Sequence, residues 1–343
     1  MYKITNPENI KNILIVRMNK IGDMICTIPL IRTLRANFKN AKITVFTEEP
    51  GGELLEKFAL VDGVITFRRH RGFLSNKYVE CLRILRKYKK ERKIDYFDIA
   101  IAVKGGFSSF SSSIAFMSGA HLRIGYTSPD KRYYNILYNL PVNPIDFTNF
   151  HQVDACLNLL SVLGIDNYVR DISLNVPDEY KTSALKFLKE NGLKSKDRIA
   201  VFNISNNRET SKWREENFTE LGREINKKLN YKCVITCVAE DRDRAFKICQ
   251  GLNGNGIYYE TPSLMDIMTI VSLSDFLVAG DGGAIHIGAA VGTKVIALFG
   301  RTNPIIYGPY GKGHVVLKSK DGNVNSINPD EVIKVVMRFF KSP

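Results

Sequence analysis

Short runs rich in Val and Ile alternate along this chain with longer stretches whose apolar residues recur at helical spacing. Continuous apolar runs of this kind are typical of strands buried on both faces of a parallel sheet, with a helix connecting each strand to the next. The pattern occurs in both halves of the 343 residues, a length that exceeds one ordinary core. The chain is therefore expected to form two α/β units, each a parallel sheet covered by helices.

The two kinds of segment predict where the elements lie. Strands are predicted at Ile13–Arg17, Ile43–Thr47, Val64–Phe67, Asp98–Val103, Ile199–Asn203, Lys232–Val238, Ile257–Glu260, Phe276–Ala279 and Val295–Phe299. Helices are predicted at Thr27–Phe38, Lys77–Lys93, Glu216–Leu229, Asp241–Gln250, Leu264–Leu273 and Ala284–Val291.

The break at "SLNVPDEY" divides these elements into two Rossmann-like domains, residues 1–175 and 176–326. Residues 327–343 read as a terminal helix with Asn328 or a neighbouring residue as its cap and Pro329 in its first turn. We expect this helix to pack back toward the N-terminal domain.

Charge and composition limit the partners. The net charge of +14 favours an anionic partner, and the absence of a zinc finger, an RRM signature and a basic tail argues against nucleic acid. The six cysteines form no CxxC pair and read as buried thiols of a reducing compartment. No apolar run is long enough to span a membrane, and "MYKITNPENIKN" lacks the apolar stretch of a signal peptide. A cytoplasmic protein is expected.

Ligands of open α/β sheets bind at the carboxyl ends of the strands, where three motifs stand out. The first is "ILIVRMNKIGDMICTIP", in which Gly22 leads into a helix whose first turn holds Asp23. Asp23 suits the positive end of the helix dipole. Because Arg17 and Lys20 lie beside it, it could also accept a proton from a substrate hydroxyl while the cations hold an anionic substrate.

The second motif, "VFNISNNRETSKWREENF", follows the first strand of the second half. Its short polar side chains, Asn203 and Ser205 among them, suit hydrogen bonds to a ligand, and Lys212 could reach a diphosphate as a point charge or be a solvated cation. Trp213, the only Trp, is expected to cap the apolar core.

The third motif is "AGDGGAIHIG". Asp281 ends a strand, Gly282 and Gly283 permit close backbone approach, and a helix bearing His286 begins at once. Helix-terminal N–H groups and the helix dipole favour an anion here, although the glycines could serve tight packing alone. The third Gly of G-x-G-x-x-G is missing and Walker A is absent, so neither NAD binding nor ATP hydrolysis is supported.

Two further stretches have ordinary explanations. The D-x-D in "EDRDR" could hold a metal, but carboxylates that complement a helix N-terminus explain it better. The basic stretch Lys77–Lys93 has an apolar face and reads as a covering helix with a solvated basic side. Contact of that side with an anionic membrane surface is the alternative.

Taken together, the three motifs resemble those of the lipopolysaccharide heptosyltransferases, glycosyltransferase family 9. The resemblance rests on Arg17, Gly22, Asp23, Pro29, Asn203, Ser205, Lys212, Trp213, Asp281, Gly283, His286, Phe299, Gly300, Thr302 and Pro304, in the family's order. It implies a GT-B fold, two Rossmann-like domains facing a central cleft, with an N-terminal acceptor-binding domain and a C-terminal nucleotide-sugar-binding domain.

The resemblance also implies an activity: inverting, metal-independent transfer of heptose from ADP-L-glycero-D-manno-heptose to the acidic, lipid-linked inner core of lipopolysaccharide, with no cofactor. Asp23 would be the base and Lys212 would stabilise the leaving group. The donor would be held by Asn203, Ser205, Glu240, Asp281, Gly282, Gly283, His286 and Thr302, and the acceptor by Arg17, Lys20, Lys104 and Arg123. Peripheral contact with the cytoplasmic face of the inner membrane would fit such an acceptor.

Three alternatives remain open. The same fold could use another nucleotide sugar, such as an N-acetylhexosamine donor, or a protein acceptor. A nucleotide-sugar-binding protein without catalysis is the third reading, which the pairing of Asp23 with a complete donor loop disfavours.

Overall fold

The computed structural model describes residues 4, 6–18, 20–68, 76–194 and 196–340. The chain divides into two compact units, Met1–Ile172 and Ser173–Pro343, so the division falls after residue 172 instead of the predicted 175.

The first unit is built on a parallel sheet with the strand order β3-β2-β1-β4-β5-β6. Its described strands are β1 (Asn12–Arg17), β2 (Lys42–Thr47), β3 (Gly63–Thr66), β4 (Ile99–Ala102), β5 (Leu122–Tyr126) and β6 (Leu140–Val142). Its described helices are α1 (Ile21–Ile25), α2 (Ile28–Asn37), α3 (Gly51–Lys57), α4 (Lys77–Arg92), α5 (Ser109–Met117), α6 (Arg132–Asn135) and α7 (Gln152–Asn158). The central strand β1 is buried on both faces, which explains its unbroken apolar sequence.

The second unit repeats this plan with the order β9-β8-β7-β10-β11-β12, again parallel throughout. Its described strands are β7 (Arg198–Asn203), β8 (Tyr231–Thr236), β9 (Gly256–Tyr258), β10 (Phe276–Gly280), β11 (Lys294–Phe299) and β12 (Val315–Lys318). Its described helices are α8 (Asp178–Glu190), α9 (Glu215–Leu229), α10 (Arg242–Gly251), α11 (Leu264–Ser272), α12 (Gly283–Ala290), α13 (Pro304–Tyr307) and α14 (Pro329–Phe340).

Both units thus have the strand order of the doubly wound Rossmann sheet, with the first strand at the centre. The predicted α/β class is confirmed, and every predicted strand is present within two residues at each end. The sequence missed β5, β6 and β12, which lie at or near sheet edges. In the part of the chain that is described, no helix combines the length and the apolar character needed to span a membrane.

The terminal helix α14 packs against α9 of its own unit. Val332 and Val336 on α14 are buried in the same apolar cluster as Trp213. Of the possible caps, Asn328 is the one that caps the helix, because its side-chain oxygen accepts a hydrogen bond from the N–H of Asp330 at 2.9 Å. Packing of this helix toward the first unit stays a prediction, and residues 341–343 of the predicted segment lie outside the described residues.

Candidate active site

In the first unit the chain winds in opposite directions from β1 and β4, and ligands of such sheets bind at the carboxyl ends of these two strands. Arg17, the last residue of β1, is fully buried there. Its Nη1 donates to the carbonyl oxygen of Val103, which follows β4, at 3.1 Å. Its Nη2 donates to Oδ1 of Asp23 at 2.7 Å. One guanidinium therefore ties the ends of both strands to a single carboxylate.

Asp23 lies in the first turn of α1, where the sequence predicted it. Its side chain is 25% exposed. The carboxylate is therefore accessible to a solute although it is bonded to the buried Arg17. The hydroxyl of Thr27 donates to the backbone carbonyl of Asp23 at 2.8 Å and steadies the short helix. Lys20, at the N-cap of α1, is exposed.

Two thiols lie close to this ion pair. Cys26 and Cys156 are buried, and burial raises the pKa of both thiols. Because the thiolate is the reactive form, neither thiol is poised to act as a nucleophile. The partly exposed carboxylate of Asp23, and not a thiol, is the candidate base at this edge.

The structure places the other two predicted acceptor ligands differently. Lys104 is half-buried, two residues beyond the carboxyl end of β4, on the same edge of the sheet as Asp23. Arg123 is level with Leu14, through the pairing of both with Ala100, and so lies toward the amino ends of the strands. Its guanidinium donates to the carbonyl oxygens of Leu137 and Ala120. The structure does not bring Arg123 together with Asp23.

In the second unit the corresponding point lies between β7 and β10. The loop after β7 contacts the turn after β10, where Nδ2 of Asn206 donates to the carbonyl oxygen of Asp281 at 2.7 Å. A Cβ at Gly280 would lie only 2.2 Å from the carbonyl oxygen of Ser211. Glycine is therefore required at position 280 for the loop to lie this close to the strand end.

Asp241 is the polar centre of this edge, and sequence reasoning missed it. Its carboxylate accepts hydrogen bonds from Ser205 Oγ at 2.7 Å, from Lys212 Nζ at 3.1 Å and from Arg244 Nη1 at 3.4 Å. Burial alone would raise the pKa of Asp241, but the bonds from Ser205 and Lys212 outweigh it and lower that pKa. The carboxylate is thus ionised and fixed.

The interpretation of "EDRDR" needs correction accordingly. Asp241 is the N-cap residue of α10, yet its side chain makes no capping bond. The side chain reaches instead to the loop that follows the neighbouring strand β7. The signal in the sequence was its position after β8, at the same sheet edge as Ser205 and Lys212.

Lys212 lies between two carboxylates. Besides its bond to Asp241, Nζ is 2.9 Å from Oε1 of Glu209. The hydrogen bonds to Glu209 and Asp241 raise the pKa of Lys212 despite partial burial. The side chain is 18% exposed, so a protonated ammonium group reaches the surface at the carboxyl edge of this sheet.

The glycine-rich turn also places its predicted residues at this edge. Asp281 is buried, accepts a hydrogen bond from Thr302 Oγ1, and lies 3.5 Å from Nη1 of Arg208. Gly282 is extended and Gly283 begins α12. His286 is buried one turn into that helix.

Two further predicted donor residues lie on β7 and after β8. Asn203 is buried and its Nδ2 donates to Thr236 Oγ1 at 3.1 Å. Glu240 is exposed in the short 3₁₀ turn Ala239–Asp241. The described residues contain no group of three or more His, Cys, Asp or Glu side chains that could hold a metal ion.

Each unit therefore presents polar groups at the carboxyl edge of its sheet, where ligands of such sheets bind: a partly exposed carboxylate in the first and a cationic, glycine-lined edge in the second. Residues 85–333 match the family described as glycosyltransferase family 9 (heptosyltransferase). The chain belongs to this family and is a glycosyltransferase.

Individual relatives are distant but align along nearly the whole chain. Lipopolysaccharide heptosyltransferase 1 of Escherichia coli K12 is 21% identical over 329 residues, covering 94% of this chain and 98% of that protein. A family 9 glycosyltransferase from Veillonella parvula superposes with a TM-score of 0.84 at 20% identity, over 99% of both chains. E. coli ADP-heptose LPS heptosyltransferase II gives a TM-score of 0.76 at 19% identity, over 96% of this chain and 98% of that one. The family resemblance, the GT-B class and the enzyme class predicted from the sequence are confirmed.

Proposed function

We propose that this enzyme transfers heptose from ADP-L-glycero-D-manno-heptose to the acidic inner core of lipopolysaccharide, in one inverting step that uses no metal. The observation that carries the proposal is the pairing of a reachable Asp23 carboxylate with a fully buried Arg17. The names of the relatives, which include lipopolysaccharide heptosyltransferases 1 and 3 of E. coli, support the choice of donor and acceptor.

The reaction joins an acceptor oxygen to the anomeric carbon as the bond from that carbon to the diphosphate oxygen breaks. Asp23 takes the proton of the attacking hydroxyl, and ADP leaves with the bonding electrons. Attack from the side opposite the leaving group inverts the anomeric centre. Arg17 then has a different role from the predicted one: it holds Asp23 and does not bind the acceptor, because its side chain is fully buried.

Negative charge develops on the departing diphosphate, and fixed positive groups stabilise it. Lys212 and the N–H groups of the Gly282–Gly283 turn supply this charge in the proposal. Ser205 and Thr302 lie at the same sheet edge, each bonded to a buried carboxylate, and His286, Asn203 and Asp281 complete the donor side. Glu240 binds the ribose of the nucleoside, as its exposed position after β8 permits.

The acceptor is proposed to bind the first unit through Lys20 and Lys104, whose ammonium groups match its acidic groups. Arg123 is left out because its guanidinium is bonded to backbone carbonyls away from the carboxyl edge. A lipid-linked acceptor also implies a cytoplasmic enzyme that touches an anionic membrane surface. The exposed side chains of Tyr133 and Ile136 next to Lys131 and Arg132 support such contact.

The decisive experiment offers the full chain ADP-heptose, UDP-sugars and GDP-sugars with truncated core acceptors and follows release of nucleoside diphosphate. Release from ADP-heptose alone, undiminished by EDTA, is expected. Release from a UDP-sugar alone would favour the alternative with an N-acetylhexosamine donor. Transfer to protein alone would show that the acceptor is a protein and not lipopolysaccharide. Binding without release from any donor would indicate a nucleotide-sugar-binding protein.

A further inference from the structure

The two carboxylates bonded to Lys212, those of Glu209 and Asp241, differ sharply in solvent exposure. The side chain of Glu209 is 84% exposed and that of Asp241 is 6% exposed. Their distances to Nζ are nevertheless similar, 2.9 Å and 3.1 Å. An exposed ion pair of a long side chain is easily exchanged for another anion, whereas a buried, multiply bonded one is not.

Asp241 is fixed from several directions. Ser205 donates to it at 2.7 Å, and this hydroxyl itself accepts the N–H of Val238 at 2.9 Å. Arg244, which also reaches Asp241, is held by the carbonyl oxygen of Trp213 at 3.0 Å and by Glu215. A ligand therefore cannot displace the Asp241 carboxylate without breaking the hydrogen bonds that hold the loop after β7.

Glu209 begins the short 3₁₀ turn Glu209–Ser211 and approaches Lys212 from the solvent side. An ammonium group has three protons to donate. An oxygen of an arriving diphosphate could thus take the place of the Glu209 carboxylate while the bond to Asp241 stays intact.

We propose that Glu209 is a stand-in anion: its carboxylate bonds to Lys212 until the donor diphosphate replaces it. Asp241 is a positioning residue that keeps the Lys212 ammonium group directed at the diphosphate. This inference rests on the proposed function, because it takes Lys212 as a diphosphate ligand. Charge alone predicts that loss of either carboxylate strengthens anion binding. The proposal predicts opposite signs for the two.

The test is titration calorimetry of ADP and of adenosine with the full chain. Glu209→Gln is expected to tighten ADP binding about threefold or more, and Asp241→Asn to weaken it about tenfold, both with adenosine affinity unchanged. Lys212→Met should weaken ADP binding at least tenfold. Glu220→Gln, which removes an exposed carboxylate from α9, is the control for net charge and should leave ADP affinity as in the wild type.

The outcomes distinguish a failure of the proposed function from a failure of the stand-in role. If Lys212→Met binds ADP like the wild type, the diphosphate role of Lys212 in the proposed function is wrong. If Lys212→Met weakens binding but Glu209→Gln does not tighten it, the stand-in role is overturned and the proposed function survives. Tighter ADP binding by the Asp241→Asn variant would overturn the positioning role of Asp241. Should Asp241→Asn fail to fold, Asp241→Glu takes its place, because it keeps the charge and displaces the carboxylate. Weaker ADP binding is expected, and wild-type affinity would overturn the positioning role.

Discussion

The two units have the same strand order, but the charges at the carboxyl edges of their sheets are arranged in opposite ways. At the carboxyl edge of the first sheet a buried cation, Arg17, supports a carboxylate that reaches solvent, Asp23. At the same edge of the second sheet buried carboxylates support cations that reach solvent. Asp241 supports Lys212, and Asp281 lies 3.5 Å from the half-exposed Arg208.

This inversion shows how one fold can present chemically opposite sites. The buried partner decides which sign is held at the surface, because a charge taken out of water is stable only beside its counter-charge. A unit that offers a carboxylate suits proton removal, and a unit that offers cations suits a diphosphate. Substitutions that break one pair should therefore affect one function and spare the other.

The largest effect is expected from Asp23→Asn. An amide cannot accept the acceptor's proton, so turnover should fall by about 10²- to 10⁴-fold, the usual contribution of a general base. ADP affinity should not change, because the proposed donor-binding residues lie in the second unit. Kinetics with ADP-heptose and calorimetry with ADP measure the two quantities. Near-normal turnover would show that Asp23 is not the base, and Asp130→Asn, at an exposed position, controls for loss of one charge.

Replacing the buried partner should be the next largest change. Arg17→Met removes one donor each from Asp23 and from the carbonyl of Val103. It should cost about 3 kcal/mol of unfolding free energy, the lower end for breaking a buried pair since Asp23 is partly exposed. Turnover should fall at least tenfold while the KM for donor is kept.

The matched control is Arg123→Met, since Arg123 also serves backbone carbonyls in the first unit. It should lower stability, as judged by urea unfolding, and leave turnover intact. Equal losses of turnover in both variants would mean that Arg17 acts through stability alone.

The donor side can be tested through its glycines. In Gly280→Ala the new methyl group would meet the Ser211 carbonyl oxygen at 2.2 Å, so the loop after β7 must move, at a cost of about 1–3 kcal/mol. ADP affinity should fall with it. In Gly282→Ala the nearest atom, Nδ2 of Asn206, lies at 3.2 Å, and the effect should be smaller. Thermal unfolding and ADP titration rank the two variants, and the reverse ranking would contradict the close approach at Gly280.

The smallest expected effect concerns acid stability. The folded-state pKa of Asp241 lies below its ordinary value of 3.8, so its stabilising contribution is complete above that value and is lost as the pH falls through the lower folded pKa. Asp62 in the first unit, paired with Arg35, also has a lowered pKa, but its side chain is 42% exposed. Asp241→Asn should therefore flatten the acid limb of a stability-versus-pH curve more than Asp62→Asn, and equal flattening would contradict this.

The sequence predicted the central strands because double burial leaves a continuous apolar run, as in Ile13–Val16. It missed β12, where buried and exposed positions do not follow such a run. Asp23, Lys212 and the glycine turn were found because their positions after strands are local features. Asp241 also follows a strand, but its role was missed because its partners Ser205 and Lys212 follow the neighbouring strand β7. Local spacing does not reveal which strands are neighbours. The burial of Arg17 was missed for a similar reason: its partner Val103 is 86 positions away.

The close approach at Gly280 has a weaker counterpart at Gly300, where a Cβ would lie 2.6 Å from the carbonyl oxygen of Gly322 and 3.3 Å from that of Thr210. The loop that carries Lys212 therefore rests, backbone on backbone, upon the ends of two neighbouring strands. Backbone atoms, which are the same in every residue type, therefore fix the position of this loop relative to the strand ends. Side chains along the loop can then vary without changing the position of its backbone at the strand ends.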